Sequence, residues 1–268
     1  MTTGITLALN AAEARLQIAA ADSAGDMLFT HEWQAASRGT ELLAPALHDA
    51  LRLLGIPAQS VARIACVYGP GNFTGIRLVL VTTAGLSRAI GAEQGGIPYL
   101  PLLARNALSG CMPEQECAAW ALTHARRGLV YGQGFRIRPP ASPALFTPVC
   151  EVAVLRLTED NGCAAFITRR SASSSLLLFG SGVTRNEEYF AATLPHARRL
   201  PPCFNHPAPA ALLAYAHDIP YGHDDIAPMY ARPCDAEENL PKIAQSLGRD
   251  PQESRQKFQK FTSMLPIA

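Results

Sequence analysis

The chain has 268 residues, 48% of them hydrophobic and 17% charged, which is enough apolar material for one large domain or two small ones. Its formal net charge of +1 excludes the strongly basic surface expected of a protein that binds nucleic acid unaided. The N-terminus has no basic segment ahead of its short apolar run, and the longest uncharged apolar stretch, residues 78–87, is about half the length that a bilayer requires. We therefore expect a soluble, cytoplasmic protein.

The first elements predict a meander followed by a helix. Residues 5–9, 15–21 and 27–33 are short apolar segments separated by polar or small residues that suit turns, so they predict three consecutive strands. From Thr40 the apolar residues recur at intervals of three and four, which predicts a helix that ends near Leu54.

A strand and a second helix follow, joined by a glycine-rich stretch. Residues 63–68 predict the strand, and residues 76–90 continue with helical spacing. The sequence GGIP at residues 95–98 predicts a turn after this helix. Three strands, a helix, a strand and a helix is the element order of the ribonuclease-H-like half found in the sugar kinase and actin superfamily.

The rest of the chain predicts a second lobe and a tail. Further strands are predicted at residues 117–123, 129–137, 151–157 and 176–180. The fold class is therefore predicted to be α/β, with two ribonuclease-H-like lobes whose mixed sheets are flanked by helices. The predicted divisions are an N-terminal lobe with interface helices at 1–103, a smaller second lobe at 104–216, and a return segment with an extra helical tail at 217–268.

The tail is predicted to end in a helix. Asp250, Pro251 and Glu253 form a capping pattern, and Phe258, Phe261 and Leu265 would lie on the helix that follows. This helix either folds onto the protein's own surface or binds a partner.

The cysteines are expected to be reduced and mostly buried. They are odd in number, lack any CxxC pair and stand mostly among small apolar neighbours, which does not suit a disulfide framework. The seven are Cys66, Cys111, Cys117, Cys150, Cys163, Cys203 and Cys234.

The stretch VYGPGNFTGIR raises the question of phosphate binding. A P-loop needs a lysine and a hydroxyl residue after its last glycine, but Gly75 is followed by isoleucine and arginine. The spacing of Gly69, Gly71 and Gly75 does not fit the dinucleotide-binding fingerprint either. We interpret the stretch as a strand-to-helix elbow and call it the glycine loop. It consists of Gly69, Pro70, Gly71, Asn72, Phe73, Thr74, Gly75 and Arg77.

The sequence YGPGNFTGIRLVLVTTAGLSRAIG resembles the GPGSFTGLRIG signature of the TsaB family, also called YeaZ, with Asn72 in place of the usual serine. Other segments resemble the family in the same order: LALNAAE, TELLAPALHDALRLLGI, THARRGLVY, LFGSGV and IAPMYARP. The resemblance covers roughly residues 4–235. The chain is identified as a member of the TsaB family, within the glycoprotease-like (peptidase M22) superfamily.

The resemblance implies a role in tRNA modification without catalysis. TsaB proteins are subunits of the bacterial machinery that installs threonylcarbamoyl groups on a tRNA adenosine, and the related TsaD subunit performs the transfer. The implied partners are a TsaD-like catalytic subunit and a TsaE-like ATPase. The resemblance also implies a homodimer when the subunit is alone, contact with tRNA only through partners, and no association with membranes.

Contacts in this family are made by the helical face of the first lobe, here the helices at residues 40–54 and 75–90. On the second helix, large and small residues alternate at helical spacing, which suits close packing between helices. The predicted interface residues are Leu78, Val81, Thr82, Gly85 and Ala89. Core packing would also explain any one of them. Arg77 leaves three roles open, since it can lie in solvent, anchor the loop or bind a partner's carboxylate.

No catalytic residue, metal or cofactor is predicted. The seven histidines contain no pair four residues apart on a helix, as a TsaD-type metal site would require. Asn10 stands where the family usually has a magnesium-handling aspartate, which leaves Asn10, Gly180 and Gly182 as a possible vestigial nucleotide cleft. Gly39 and His124 depart from the family's usual histidine and aspartate.

Two alternative functions stay open. The chain could be a nucleotide-dependent kinase or ATPase of the actin-like superfamily, which would use the cleft between its lobes. It could also be a degenerate paralogue whose tail binds a different protein.

Overall fold

The computed structural model describes residues 4–34, 38–111, 113–138, 146–158, 162–171, 175–232 and 235–264. The chain divides into two compact units, Met1–Ala231 and Arg232–Ala268. The predictions for Cys234 and Leu265 fall outside the described residues. The predicted lobe boundary between residues 103 and 104 lies inside the first unit and stays a prediction.

The first sheet has the strands β1 (Ile5–Asn10), β2 (Arg15–Ala21), β3 (Met27–Gln34), β4 (Val61–Gly69) and β5 (Glu93–Pro98). Their order is β3-β2-β1-β4-β5. The first three strands form an antiparallel meander, while β4 and β5 run parallel to β1. Leu9 at the centre pairs with Ile18 on one side and Cys66 on the other.

Three helices accompany this sheet: α1 (Gly39–Leu53), α2 (Phe73–Ile90) and α3 (Tyr99–Gly110). Both α1 and α2 pack on one face of the sheet, where Leu43 and Val79 join a core with Leu7 and Leu9. The helix α3 packs on the opposite face. The two predicted helices, α1 and α2, are thereby confirmed, whereas α3 was not predicted. The helix α2 begins three residues earlier than expected because Asn72 caps it.

The second sheet has the strands β6 (Cys117–Arg126), β7 (Leu129–Ile137), β8 (Thr147–Pro148), β9 (Ala153–Arg156), β10 (Leu176–Phe179) and β11 (Arg198–Arg199). Their order is β11-β10-β6-β7-β8, and β9 also pairs with β7. Strand β7 is antiparallel to β6, β8 and β9, whereas β10 is parallel to β6 and β11.

The second sheet therefore repeats the topology of the first. The strands β8 and β9 share the place of β3, while β10 and β11 take the places of β4 and β5. This repetition confirms the predicted fold class of two ribonuclease-H-like halves with mixed sheets.

The remaining helices of the first unit are α4 (Cys163–Arg170), α5 (Ser181–Thr184), α6 (Glu187–Thr193) and α7 (Pro209–His217). The first three cover the outer face of the second sheet, where Ile167 and Phe190 pack around Trp120. The helix α7 lies with α3 in the layer between the two sheets, and both contribute to its core. The two sheets thus share one central hydrophobic layer.

The prediction of a turn at residues 95–98 is wrong, because this segment belongs to β5. Gly95 and Gly96 normally weaken a strand, but here neighbouring side chains leave no space for a Cβ atom. A Cβ on Gly95 would lie 2.8 Å from Ile219, and one on Gly96 would lie 2.9 Å from the ring of Tyr68. The glycines therefore allow close packing onto the strand.

The cysteines follow the expectation of mostly buried thiols only in part. In the described part of the chain, Cys66, Cys117 and Cys163 are buried, Cys111 and Cys150 are half-buried, and Cys203 is exposed in a short 3-10 helix. Burial raises the pKa of Cys66 to about 11 and that of Cys163 to about 12, so both thiols are unreactive at neutral pH.

The second unit is a helical hairpin of α8 (Asp235–Ser246) and α9 (Pro251–Met264), which pack on each other. The helix α9 confirms the predicted tail helix. Ala244 is buried in the hairpin, whereas Ile243 and Leu247 are 44% and 65% exposed.

Candidate functional site

The glycine loop joins β4 to α2 and rests on the turn between β1 and β2. The backbone N–H of Asn72 donates to the carbonyl of Ala12 at 2.6 Å. The Asn72 side-chain oxygen accepts from the N–H of Gly75 at 3.0 Å, which caps α2. A Cβ on Gly71 would collide with the carbonyl oxygen of Ala12, and one on Gly75 with that of Ala11. Two loop N–H groups are thus used inside the chain, and the glycines let two backbones meet.

The helix α2 has one buried and one exposed face. Ile76, Val79, Thr83 and Ser87 are its buried residues. Of the predicted interface residues, Val81 is 72% exposed and Gly85 and Ala89 are also exposed, while Leu78 and Thr82 are half-buried. A Cβ added to Gly85 would meet nothing within 4 Å. We call these five residues the α2 face.

By length and composition α2 could cross a membrane, since its 18 residues have a mean hydropathy of 1.2. The sequence expectation considered only the uncharged stretch at residues 78–87, which Arg77 and Arg88 bound. The helix continues past both arginines and is therefore long enough to span a bilayer. Of the residues of this helix, 22% are fully buried. Its inner face nevertheless packs along the first sheet, as helices do in soluble α/β domains.

The chain returns to α2 after the second sheet, in a return segment at residues 222–231. Gly222 and Gln94 exchange two backbone hydrogen bonds, and the N–H of Met229 donates to the carbonyl of Tyr68 at 2.8 Å. Asp225 accepts two hydrogen bonds from Arg88, at 2.6 and 2.9 Å. The segment therefore runs beside α2 and forms hydrogen bonds with α2, β4 and β5.

Arg77 is also hydrogen-bonded to the return segment. Its Nε donates to the hydroxyl of Tyr230 at 2.8 Å, and its guanidinium lies 3.9 Å from the centre of the Phe73 ring. The rings of Phe73 and Tyr230 stack with their centres 5.0 Å apart. Phe73 is 36% exposed and Tyr230 41%. Arg77 thus anchors the loop, which was one of its open roles, while its stacked surroundings remain at the surface.

Asn10, predicted in a possible vestigial cleft, is buried and hydrogen-bonded through both its oxygen and its nitrogen. Its oxygen accepts from the N–H of Ala12 at 3.0 Å, and its nitrogen donates to Gln17 at 2.6 Å. Gln17 in turn donates to Glu32 and to the carbonyl of Pro207. The amide therefore serves the first turn and the link to the segment before α7.

Glu13 lies between the two halves of the first unit and was not among the predicted site residues. It accepts hydrogen bonds from the hydroxyls of Tyr99, at 2.7 Å, and Ser181. Ser181 also accepts from the backbone N–H of His124 at 3.0 Å. We call Glu13, Tyr99, Ser181 and His206 the Glu13 cluster. The only sequence signal for it was one carboxylate among the alanines of the first turn.

The pKa values in this cluster follow from burial. Burial raises the pKa of Glu13, against the hydrogen bonds from Ser181 and Tyr99 and the charges of Arg185 and Arg15. Burial and the charges of both arginines lower the pKa of His206 to about 4, outweighing Glu32. His206 Nδ1 lies 3.5 Å from Glu13 and makes no hydrogen bond. Because the pKa of His206 is about 4, its ring is neutral at pH 7 and the contact is not an ion pair there.

Gly180 and Gly182 form a second elbow, between β10 and α5. Gly180 has a positive φ of 105°, and a Cβ there would collide with the carbonyl oxygen of Leu122. A Cβ on Gly182 would approach the same oxygen to 2.9 Å. The elbow thus packs against β6 as the glycine loop packs against the first turn.

The other departures from the family pattern lie apart from each other. Gly39 begins α1, and a Cβ there would lie 3.0 Å from Leu78 of α2. His124 lies near the end of β6, where burial and the charge of Arg185 lower its pKa. Among the described residues, no group of three histidine, cysteine, aspartate or glutamate side chains converges as metal ligands would.

Comparison with known proteins connects this geometry to a family. Residues 33–139 match the family model of TsaD, tRNA N6-adenosine threonylcarbamoyltransferase, a segment that contains α1, the glycine loop and α2. No curated protein matches the chain.

Two solved structures from Pseudomonas aeruginosa share the fold. An uncharacterized protein with similarity to the peptidase YeaZ superposes with a TM-score of 0.63 at 21% identity, covering 86% of this chain and 100% of that one. YeaZ itself superposes with a TM-score of 0.58 at 19% identity, covering 94% of this chain and 98% of that one. The chain is therefore similar to the glycoprotease-type TsaD family model across α1, the glycine loop and α2, and it shares the fold of YeaZ across nearly its whole length.

Proposed function

We propose that the chain is a noncatalytic subunit of the machinery that makes threonylcarbamoyladenosine in tRNA, and that it binds the catalytic TsaD-type subunit through the α2 face. The observation that carries the proposal is the exposure of this face. Val81 is 72% exposed, and only 22% of the 18 residues of its helix are fully buried. Apolar surface of this kind, left open in a single chain, is typical of a protein interface.

The composition of the α2 face also supports an interface. Because Gly85 and Ala89 have small side chains, the backbone of a partner helix can approach α2 closely beside Val81. Leu53, the last residue of α1, and Leu54, which caps it, are 73% and 47% exposed. The helix that packs on the same face of the sheet as α2 therefore also leaves apolar side chains exposed.

The proposal includes the other partners that the family resemblance implied. In the cytoplasm, the α2 face would bind a second copy of the chain when the TsaD-type subunit is absent. A TsaE-like ATPase would join the complex, and tRNA would be contacted through the partners. The weak net charge of +1 supports this indirect contact with tRNA.

The nucleotide-dependent alternative finds less support in the same residues. A kinase or ATPase needs a carboxylate that is free to hold a metal near the nucleotide. In the described cleft, Asn10 is engaged in hydrogen bonds within the chain and Glu13 is held by two hydroxyls. These side chains favour a structural connection between the halves.

The test is to mix the purified chain with the TsaD-type subunit of the same organism and to measure molar mass by size-exclusion chromatography with light scattering. We expect a heterodimer, with and without ATP. Val81→Arg should abolish it, because a charge would be buried in the interface. The control is Thr30→Arg, an exposed position on β3. Failure of the wild-type chain to bind the subunit under any condition would contradict the proposal.

A further inference from the structure

The two arginines of α2 differ in the partners that the chain provides for their guanidinium groups. Arg88 Nη2 donates to both carboxylate oxygens of Asp225, so the charge of Arg88 is already paired with a carboxylate. Arg77 instead has a phenol on its Nε and an aromatic ring beneath its plane. Within the described residues, no carboxylate pairs with Arg77 and its terminal nitrogens make no hydrogen bond.

The surroundings of Arg77 fix the direction of its guanidinium. Stacking on Phe73 restrains the plane, and the hydrogen bond to Tyr230 uses the inner edge of the group. A guanidinium held in this way keeps its outer nitrogens free and loses little entropy on binding a carboxylate. Arg77 also lies one helical turn before Val81, at the edge of the α2 face.

The helices α1 and α2 of a second copy offer Arg77 little. The helix α2 contains no aspartate or glutamate, so contact between two α2 helices brings no carboxylate to Arg77. The exposed acidic residues of α1 already have partners in their own chain. Glu41 pairs with Arg38 at 2.9 Å, and Asp49 pairs with Arg52 at 3.6 Å.

We infer that Arg77 is a receptor for an aspartate or glutamate side chain of a partner subunit, and that this contact makes the α2 face prefer an acidic partner helix to a second copy of the chain. The inference rests on the proposed function, because it requires the α2 face to be an interface. It adds the chemistry of the partner, which apolar contact alone does not specify.

The experiment compares Arg77→Gln with Arg88→Gln, two variants that remove the same charge from the same helix. Affinity for the TsaD-type subunit is measured by titration calorimetry at low and high salt, and self-association by sedimentation equilibrium. We expect Arg77→Gln to weaken the heterodimer about tenfold, to reduce its salt dependence, and to leave self-association unchanged. Arg88→Gln should change the affinity less than about threefold, because Arg88 is already paired.

Two further variants separate the possible results. Tyr230→Phe keeps the ring but removes the hydroxyl from Arg77, and we expect it to weaken the heterodimer by a smaller factor than Arg77→Gln. If Arg77→Gln binds the subunit as tightly as wild type while Val81→Arg does not bind, the carboxylate receptor is wrong and the proposed function stands. Equal weakening of heterodimer and homodimer by Arg77→Gln would also overturn the inference. If Val81→Arg binds both partners normally, the proposed function itself fails.

Discussion

The two halves of the first unit share a sheet topology but differ in the helix that follows β4 in the first half and its counterpart β10 in the second. In the first half this is α2, an unbroken helix of 18 residues with an exposed apolar face. In the second half the same place is taken by α5 and α6, of four and seven residues, with Glu187 and Glu188 exposed at the break. One topology therefore carries two different surfaces, and the proposed function depends on the helix rather than on the fold.

The elbows before these helices are alike, which makes them the strongest test of the comparison. Gly75→Ala should destabilise the chain by more than about 3 kcal/mol, because the new Cβ would collide with the carbonyl of Ala11. Gly182→Ala should show a smaller loss of the same kind. Gly85→Ala is the matched control on α2 and should be neutral or stabilising by about 0.5–1 kcal/mol, since its site is open. Urea denaturation measures all three, and equal stability of Gly75→Ala and Gly85→Ala would refute the close-packed elbow.

The Glu13 cluster connects the two halves, and its removal should have the next largest effect. Glu13→Ala leaves the hydroxyls of Tyr99 and Ser181 without their acceptor in a buried site. We expect a loss of about 2–3 kcal/mol in the free energy of unfolding. Glu13→Gln keeps an acceptor oxygen and removes the buried charge, so its loss should be smaller. A Glu13→Ala variant as stable as wild type would show that the cluster does not hold the halves together.

His206 should make stability depend on pH. Its pKa is about 4 in the folded chain and 6.5 without the fold, so between these values the unfolded chain binds a proton that the folded chain does not. Stability should therefore fall by about 1–2 kcal/mol as the pH drops from 6.5 towards 4, a figure reduced for the partial exposure of His206.

The raised pKa of Glu13 has the opposite sign, since the folded chain then takes up a proton above pH 4.5 and gains stability as the pH falls. The measurement is best made in the Glu13→Gln background, by comparing urea denaturation of His206 and His206→Asn chains across this range. A parallel pH dependence of the two chains would exclude His206 as the cause.

Much of the fold could be predicted because periodicity is a local property. The short apolar segment RLQIAAA, bounded by residues that suit turns, predicted β2 at its observed bounds, and the spacing of Leu43, Leu47 and Ala50 predicted α1. The strand β5 was missed because its glycines mark close contact with Tyr68 and Ile219, which come from elsewhere in the chain. Turn propensity was outweighed there by tertiary packing.

The candidate site likewise contains residues that the sequence predicted and residues that it did not. The glycine loop and the α2 face were visible as a signature and a helical spacing, and Val81, Gly85 and Ala89 are exposed as an interface needs. Glu13 was not visible, because its partners Tyr99 and Ser181 lie 86 and 168 residues away in the sequence. The support of Arg77 by Tyr230, across 153 residues, was hidden for the same reason.

The smallest effect is expected from the tail, which forms a compact unit by itself. If the α2 face carries partner binding, deleting residues 233–268 should leave the affinity for the TsaD-type subunit and the melting temperature of the remaining chain nearly unchanged. The exposed Ile243 and Leu247 give the tail an apolar surface of its own, so a different result has a definite meaning. Loss of heterodimer in the truncated chain, while Val81→Arg in the full chain still binds, would move the partner site from α2 to the hairpin of α8 and α9.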